Sequence, residues 1–412
     1  MQPMNLIPVE IDSIRIGQPL PCDLVDSNGI LLARKSFVVA SRADLEMFYN
    51  RSGGLFIDGV DAEALRKAYI DQLQTLMRKE KSIGEIADSK LMVDKATKRE
   101  VVTNDRVDWR NLQVEAHILL RDPNREHFKW RLEHVFRTLQ RESHRNPNGV
   151  LFALIQLSAA EISMYSATHA MLVSVMCGLA AREVMAWPEH VEMLLCKAAL
   201  TMNVSMTELQ DKLAAQKRPL DDTQQESIAT HAERSVEILQ SVGISDPTWL
   251  QAVAEHHAQA PGPLRNKTPA QRLARMIQRA DMFAARLSPR LSRPPMPPAA
   301  AMQACYFDED KQVDEAGAAL IKAVGIYQPG SYVRLASDEV AVVVRRGANT
   351  STPRVAVVLN RNGMPTAEHA VRDTSQKEYK VVVSVPHSEV RVQIHLDRML
   401  PFTQTTGADR TW

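Results

Sequence analysis

Residues 253–262 read VAEHHAQAPG, with two adjacent histidines closing an apolar helical run. Adjacent positions on a helix point roughly 100° apart, so two such rings do not easily grip one ion. They suit two metals side by side, or the ordinary role of histidine at a helix end. The run is one of several. From 148 to about 325, apolar helical stretches are separated by AWPEH (186–190), KRPLDD (217–222), GISDP (243–247) and LSPRLSRPPMPP (287–298). Apolar periodicity broken by Pro, Gly and Asp predicts an all-α bundle, and the chain as a whole reads as mainly α.

The flanks differ. Residues 1–61 read as a small β-rich unit in which DSNG (26–29) marks a turn between LPCDLV and ILLA. There, ASRADLEMFYN (40–50) predicts a short helix capped by Ser41, and GGLFID returns as a strand. Residues 62–147 form a charged, helical linker region. Its stretch DAEALRKAYIDQLQTLMRKEK has an apolar stripe that packs on its own chain or, as the alternative, on a second copy in a homodimer. From 326 to 402, SYVRL, EVAVVVRR, RVAVVLN, YKVVVSV and VRVQIHL predict a small antiparallel sheet or barrel. The tail, 403–412, is polar.

Composition narrows the function. With 45% hydrophobic and 24% charged residues the chain is of soluble globular type. A net charge of +1 gives no reason to expect a nucleic-acid polymer or an anionic membrane as partner. No run of about 18 apolar residues predicts a membrane span. Cys22, Cys177, Cys196 and Cys305 lie far apart without a CxxC pair, which predicts reduced, buried thiols and a cytoplasmic location.

His169, His231, His256, His257 and Asp281 each lie on or at the end of an apolar helix. Taken singly, each histidine reads as structural. Together they match the way bundles build metal sites, from imidazoles and carboxylates on separate helices.

At these positions the chain resembles the HD-GYP family, metal-dependent phosphohydrolases acting on cyclic di-GMP. MYSATHAMLVSVMCGLAA (164–181) is similar to the family's first-histidine helix, and THAERSVEIL (230–239) to its HPEIGAEIL segment. VAEHHAQAPG resembles EHHE-DGSGYP, and ARMIQRADMFAARLSPRLSRP (274–294) resembles ARI-AVADVYDALTSDRPYRP. VGIYQPGSYVRLASDEVAVVV (324–344) is similar to the family's closing segment, and residues 14–41 resemble an accessory domain that often precedes it. The resemblance implies an HD-type bundle. It implies a metal set of His169, His231, His256, His257 and Asp281, and phosphate or nucleotide binding by Arg290 and Arg293. Solvated charge on a Pro-rich loop is the alternative for the two arginines.

The departures fall on the chemistry. Where the family has AALLHDIGK the chain has AALTMNVSM (198–206), so Met202 and Asn203 replace the His-Asp pair and Met206 the lysine. A neutral thioether and a neutral amide remove the anion that bridges two metals. The GYP loop is replaced by AQAPGPLRNKTP (258–269), and Tyr165 stands where trinuclear members have a glutamate. These changes imply a degenerate member that binds cyclic di-GMP or signalling proteins, with no metal or a single weakly bound iron or manganese. Two other readings stand beside it: an active phosphodiesterase with a reduced metal site, and a protein-interaction scaffold.

Overall fold

The computed structural model describes residues 6–9, parts of 14–42, 55–58, 107–123, 127–160, 162–291, 298–366, 368–392 and 394–405, with residue 296. The expected turn at 26–29, most of the helix at 40–50, the stretch 61–81 and Arg293 lie outside these residues. The fold is mainly α, with a helical bundle and small antiparallel sheets toward either end of the chain. Two compact units divide at Val114 and Glu115, inside the charged helical segment of the sequence.

The first unit carries a four-stranded sheet, β1 (Leu6–Val9), β2 (Leu24–Val25), β3 (Leu31–Ala33) and β4 (Leu55–Asp58), in the order β1-β4-β2-β3. Leu24, Ala33, Val39 and Leu55 make its core. Helix α1 (Trp109–Arg121) crosses the unit boundary.

The bundle continues with α2 (Phe128–Arg145), α3 (Pro147–Ala160), α4 (Tyr165–Leu179), α5 (Glu189–Thr201), α6 (Thr207–Ala214), α7 (Asp222–Ala229), α8 (His231–Ser241), α9 (Pro247–Ala254) and α10 (Pro269–Leu287). Helix α4 is buried on every side, as its all-round apolar sequence requires. The breaks found in the sequence are helix starts. Asp221 caps α7 by accepting from the Gln224 amide, and Asp246 caps α9 through the Trp249 amide with Pro247 at the first position. Thr268 and Gln271 form a capping box on α10. Helices α11 (Pro298–Tyr306) and α12 (Glu315–Val324) complete the bundle. All four cysteines are buried, and no disulfide forms among the described residues. No described helix is long and apolar enough to cross a membrane.

The C-terminal sheet comprises β5 (Tyr332–Leu335), β6 (Val340–Arg345), β7 (Arg354–Leu359), β8 (Val371–Asp373) and β9 (Val381–Val385), antiparallel in the order β8-β7-β6-β5-β9. It is an open sheet with β8 and β9 at its edges. Among the described residues of VRVQIHL (390–396) no strand forms. Val390, Val392 and Ile394 instead lie across one sheet face beside Tyr332, Val342 and Val358. Alternation served face packing there, which satisfies the same period of two without a ladder partner.

Gly330 joins this sheet to the bundle. Its φ is +98°, and a Cβ there would meet the Phe152 carbonyl oxygen at 2.9 Å and the Ile155 side chain at 3.1 Å. Its amide donates to Val343 at 2.8 Å, and its carbonyl accepts from Gln156 Nε2 at 2.6 Å. Only glycine permits both the backbone angle and the contact with α3. Gly330→Ala is expected to cost about 2–4 kcal/mol, combining backbone strain and overpacking. Chemical denaturation checks this, and an unchanged midpoint would mean that the seam yields freely.

Candidate functional site

Helix α8 begins directly at His231, just after α7 ends, and His256 follows the end of α9. The last carbonyls of a helix lack intrahelical donors. The Nδ1 of His231 lies 2.6 Å from the Ile228 carbonyl, and that of His256 lies 2.6 Å from the Val253 carbonyl. Carbonyls only accept, so each imidazole donates there from Nδ1–H and keeps its lone pair on Nε2. The two Nε2 atoms then face each other at 3.2 Å.

His257 completes a cluster. Because α9 stops at Ala254, residues 255–257 form a turn, and the divergence of adjacent helical side chains does not apply. The His256 and His257 rings lie 4.1 Å apart, and one ligand atom from each of the three histidines falls within 4.8 Å of the others. The sequence expectation that the adjacent pair would not readily serve one ion is thereby corrected. His231 and His256 are buried, while His257 is exposed.

His169 and Asp281 pair with each other instead. His169 Nε2 lies 2.7 Å from Asp281 Oδ1, and its buried Nδ1 has no hydrogen-bond partner. The Tyr165 ring stacks on His169 with centroids 5.5 Å apart. Arg290 lies over the other ring system: its Nη2 donates to the Tyr165 hydroxyl at 2.8 Å, and its guanidinium carbon sits 5.0 Å from the ring centre. The five expected ligands thus divide into a three-imidazole cluster and a hydrogen-bonded His169–Asp281 pair.

Met202 and Asn203 lie between Thr201 and Ser205, which hydrogen-bond to the elements that carry the cluster. The Trp249 indole donates to Thr201 at 3.0 Å, tying α9 to the end of α5, and Ser205 donates to the His231 carbonyl at 2.7 Å. Met202 is wholly buried, and the buried Asn203 Oδ1 has no hydrogen-bond partner. Met206 is half-buried. This position carries no charge.

Burial pushes the His256 imidazole down to about 3, reinforced by His257 and opposed by the Val253 carbonyl. Burial also lowers His231. For Asp281, burial favours the neutral acid, but the hydrogen bond and charge of His169, with His256 and His257, hold the carboxyl well below its usual range.

Two features escaped the sequence reading. Arg275 and Arg279, on the same helix as Asp281, are buried at 3% and 2% exposure. Arg275 forks onto Glu309 at 2.9 and 2.8 Å and also reaches Asp314 at 2.7 Å. The i, i+4 arginines in an apolar helix were the visible signal, but no spacing identifies partners some 30 residues away. The second is a cleft of about 270 Å3 lined by Gln216, Arg218, Leu220, Ile228 and Arg290, among others.

Because folded His256 titrates near 3 and unfolded histidine near 6.5, the unfolded chain alone takes up this proton between those values. Stability is complete above pH 6.5 and declines as pH falls toward 3, by about 1.4 kcal/mol per pH unit for His256. The lowered His231 adds in the same direction. Thermal melts of metal-free protein from pH 7 downward check this, with His256→Gln expected to flatten the slope.

No family profile and no curated protein matches the chain. Among solved structures it is similar in fold to Bd1817, a HDG"Y"P protein from Bdellovibrio bacteriovorus, at 14% identity and a TM-score of 0.43, covering 77% of this chain and 98% of that one.

Proposed function

We propose that the chain is a degenerate HD-GYP-like protein that recognises a nucleotide or a protein partner in signalling and has lost efficient hydrolysis. The observation that carries this reading is the uncharged pair Met202 and Asn203 at the position of the bridging aspartate and its histidine. A two-metal phosphodiesterase needs an anion there to hold two cations together and to lower the pKa of the attacking water. Asp281 does not replace it, because its Oδ1 is turned to His169 at 2.7 Å. Met206, in place of the lysine, offers no proton and no positive charge to a leaving oxygen.

Where an ion is present, the imidazoles of His231, His256 and His257 would hold it. The facing Nε2 atoms fit that role, since neither has a proton to share in the neutral state. Such an ion supplies Lewis acidity. The chain's own groups orient the rings through the Ile228 and Val253 carbonyls and keep His169 hydrogen-bonded to Asp281.

Recognition of cyclic di-GMP is the ligand reading that follows from the resemblance. The cleft supports it: Arg290 and Arg218 supply forked donors suited to phosphate oxygens, while Leu220 and Ile228 supply apolar wall. Homodimerisation and signalling-protein partners belong to the same proposal.

Incubation with cyclic di-GMP and manganese or iron is expected to release no linear dinucleotide or GMP, whereas titration is expected to show binding. Sustained turnover would favour the active phosphodiesterase, and no binding the interaction scaffold. Arg290→Ala is expected to weaken binding by about 1.5–3 kcal/mol, the worth of a hydrogen bond to a charged group. Unchanged affinity would remove Arg290 from the ligand site.

A further inference from the structure

We propose, resting on that reading of the site, that His231, His256 and His257 form a mononuclear site selecting zinc and similar nitrogen-preferring cations over the iron or manganese implied by the resemblance. Two of the rings are oriented like preformed ligands. In each, Nδ1–H is bound to a backbone carbonyl at 2.6 Å, the outer-shell arrangement that fixes the tautomer of a metal-ligating histidine. This leaves two lone pairs opposed at 3.2 Å inside the protein, a repulsive contact unless a cation lies between them. Two nitrogens each about 2.0–2.1 Å from one tetrahedral ion are separated by about 3.3 Å, close to what is found.

The character of the donors decides the ion. All three donors are imidazole nitrogens, and a group of three ligands is found among the described residues only here. The carboxylate nearby is turned to His169. The position of the bridging carboxylate holds Met202 and the amide of Asn203. Manganese favours carboxylate and water oxygen and binds nitrogen sites most weakly of the first-row divalent ions, whereas imidazole suits zinc, nickel and copper. Three ligands leave a fourth, tetrahedral position for water or another small ligand. The ion would tie the start of α8 to the turn after α9.

The test uses the full chain, stripped with a chelator and titrated by calorimetry and thermal melting with zinc and, separately, manganese. One zinc per chain with a raised melting temperature is expected, with manganese binding at least about 100-fold more weakly. His257→Ala, at an exposed position and so tolerated by the fold, is expected to lower zinc affinity by about 100-fold, the upper end of what losing even an outer-shell partner costs. His169→Gln, which still donates to Asp281, is expected to leave it within about threefold. Absence of zinc binding, or zinc binding indifferent to His257→Ala, overturns this inference. Without hydrolysis, either result leaves the proposed loss of catalysis standing. Two manganese or iron ions bound with hydrolysis of cyclic di-GMP would overturn both.

Discussion

Two guanidinium groups buried in α10 have to be neutralised before that helix can pack. Arg275 and Arg279 are almost wholly removed from water, and an unpaired buried charge costs several kcal/mol. Asp314 and Glu309 meet them, with Asp314 also capping α12 through the Gly317 amide at 2.8 Å. The pairing therefore fixes α10 against the start of α12 in one register. Asp281 lies on the same helix, so its approach to His169 on α4 inherits that register.

Charge at the neighbouring site is balanced in a different way. Asp281 is kept ionised by His169, while His231 and His256 are kept neutral by burial. With a bridging aspartate at position 203, a second anion would sit among these groups and call for cations. Asn203 makes no such demand, although its buried amide oxygen has no hydrogen-bond partner. Met202 fills the adjacent space with a side chain that packs and carries no charge. Positions 202 and 203 thus add no charge to this balance, which rests on Asp281 and the imidazoles.

The seam between bundle and sheet obeys a steric constraint of the same rigour. Gly330 brings the backbone of the sheet against the carbonyl of Phe152, and Phe152 is itself part of the core on that sheet face. Val390, Val392, Ile394 and Leu396 then pack on the same face, and the described residues of this stretch do not pair as a strand. Edge strand β9 keeps Val382 and Val383 exposed at 63% and 50%.

The sequence by itself determined the helical bundle, its breaks, and most strands of the C-terminal sheet. Those features depend on local matters: apolar period, caps at Asp221, Asp246 and Thr268, and β-branched runs. It also placed all five candidate ligands on helices or helix ends, and it showed uncharged side chains at positions 202 and 203. Tertiary structure alone decided how those ligands are shared. Whether His256 and His257 diverge or converge depends on where α9 stops, because adjacent side chains are held about 100° apart only while the helix continues. Which histidine takes Asp281, which carbonyl fixes which tautomer, and which acids neutralise Arg275 and Arg279 are long-range pairings. No periodicity encodes them, because they depend on distances that exist only once the helices have packed.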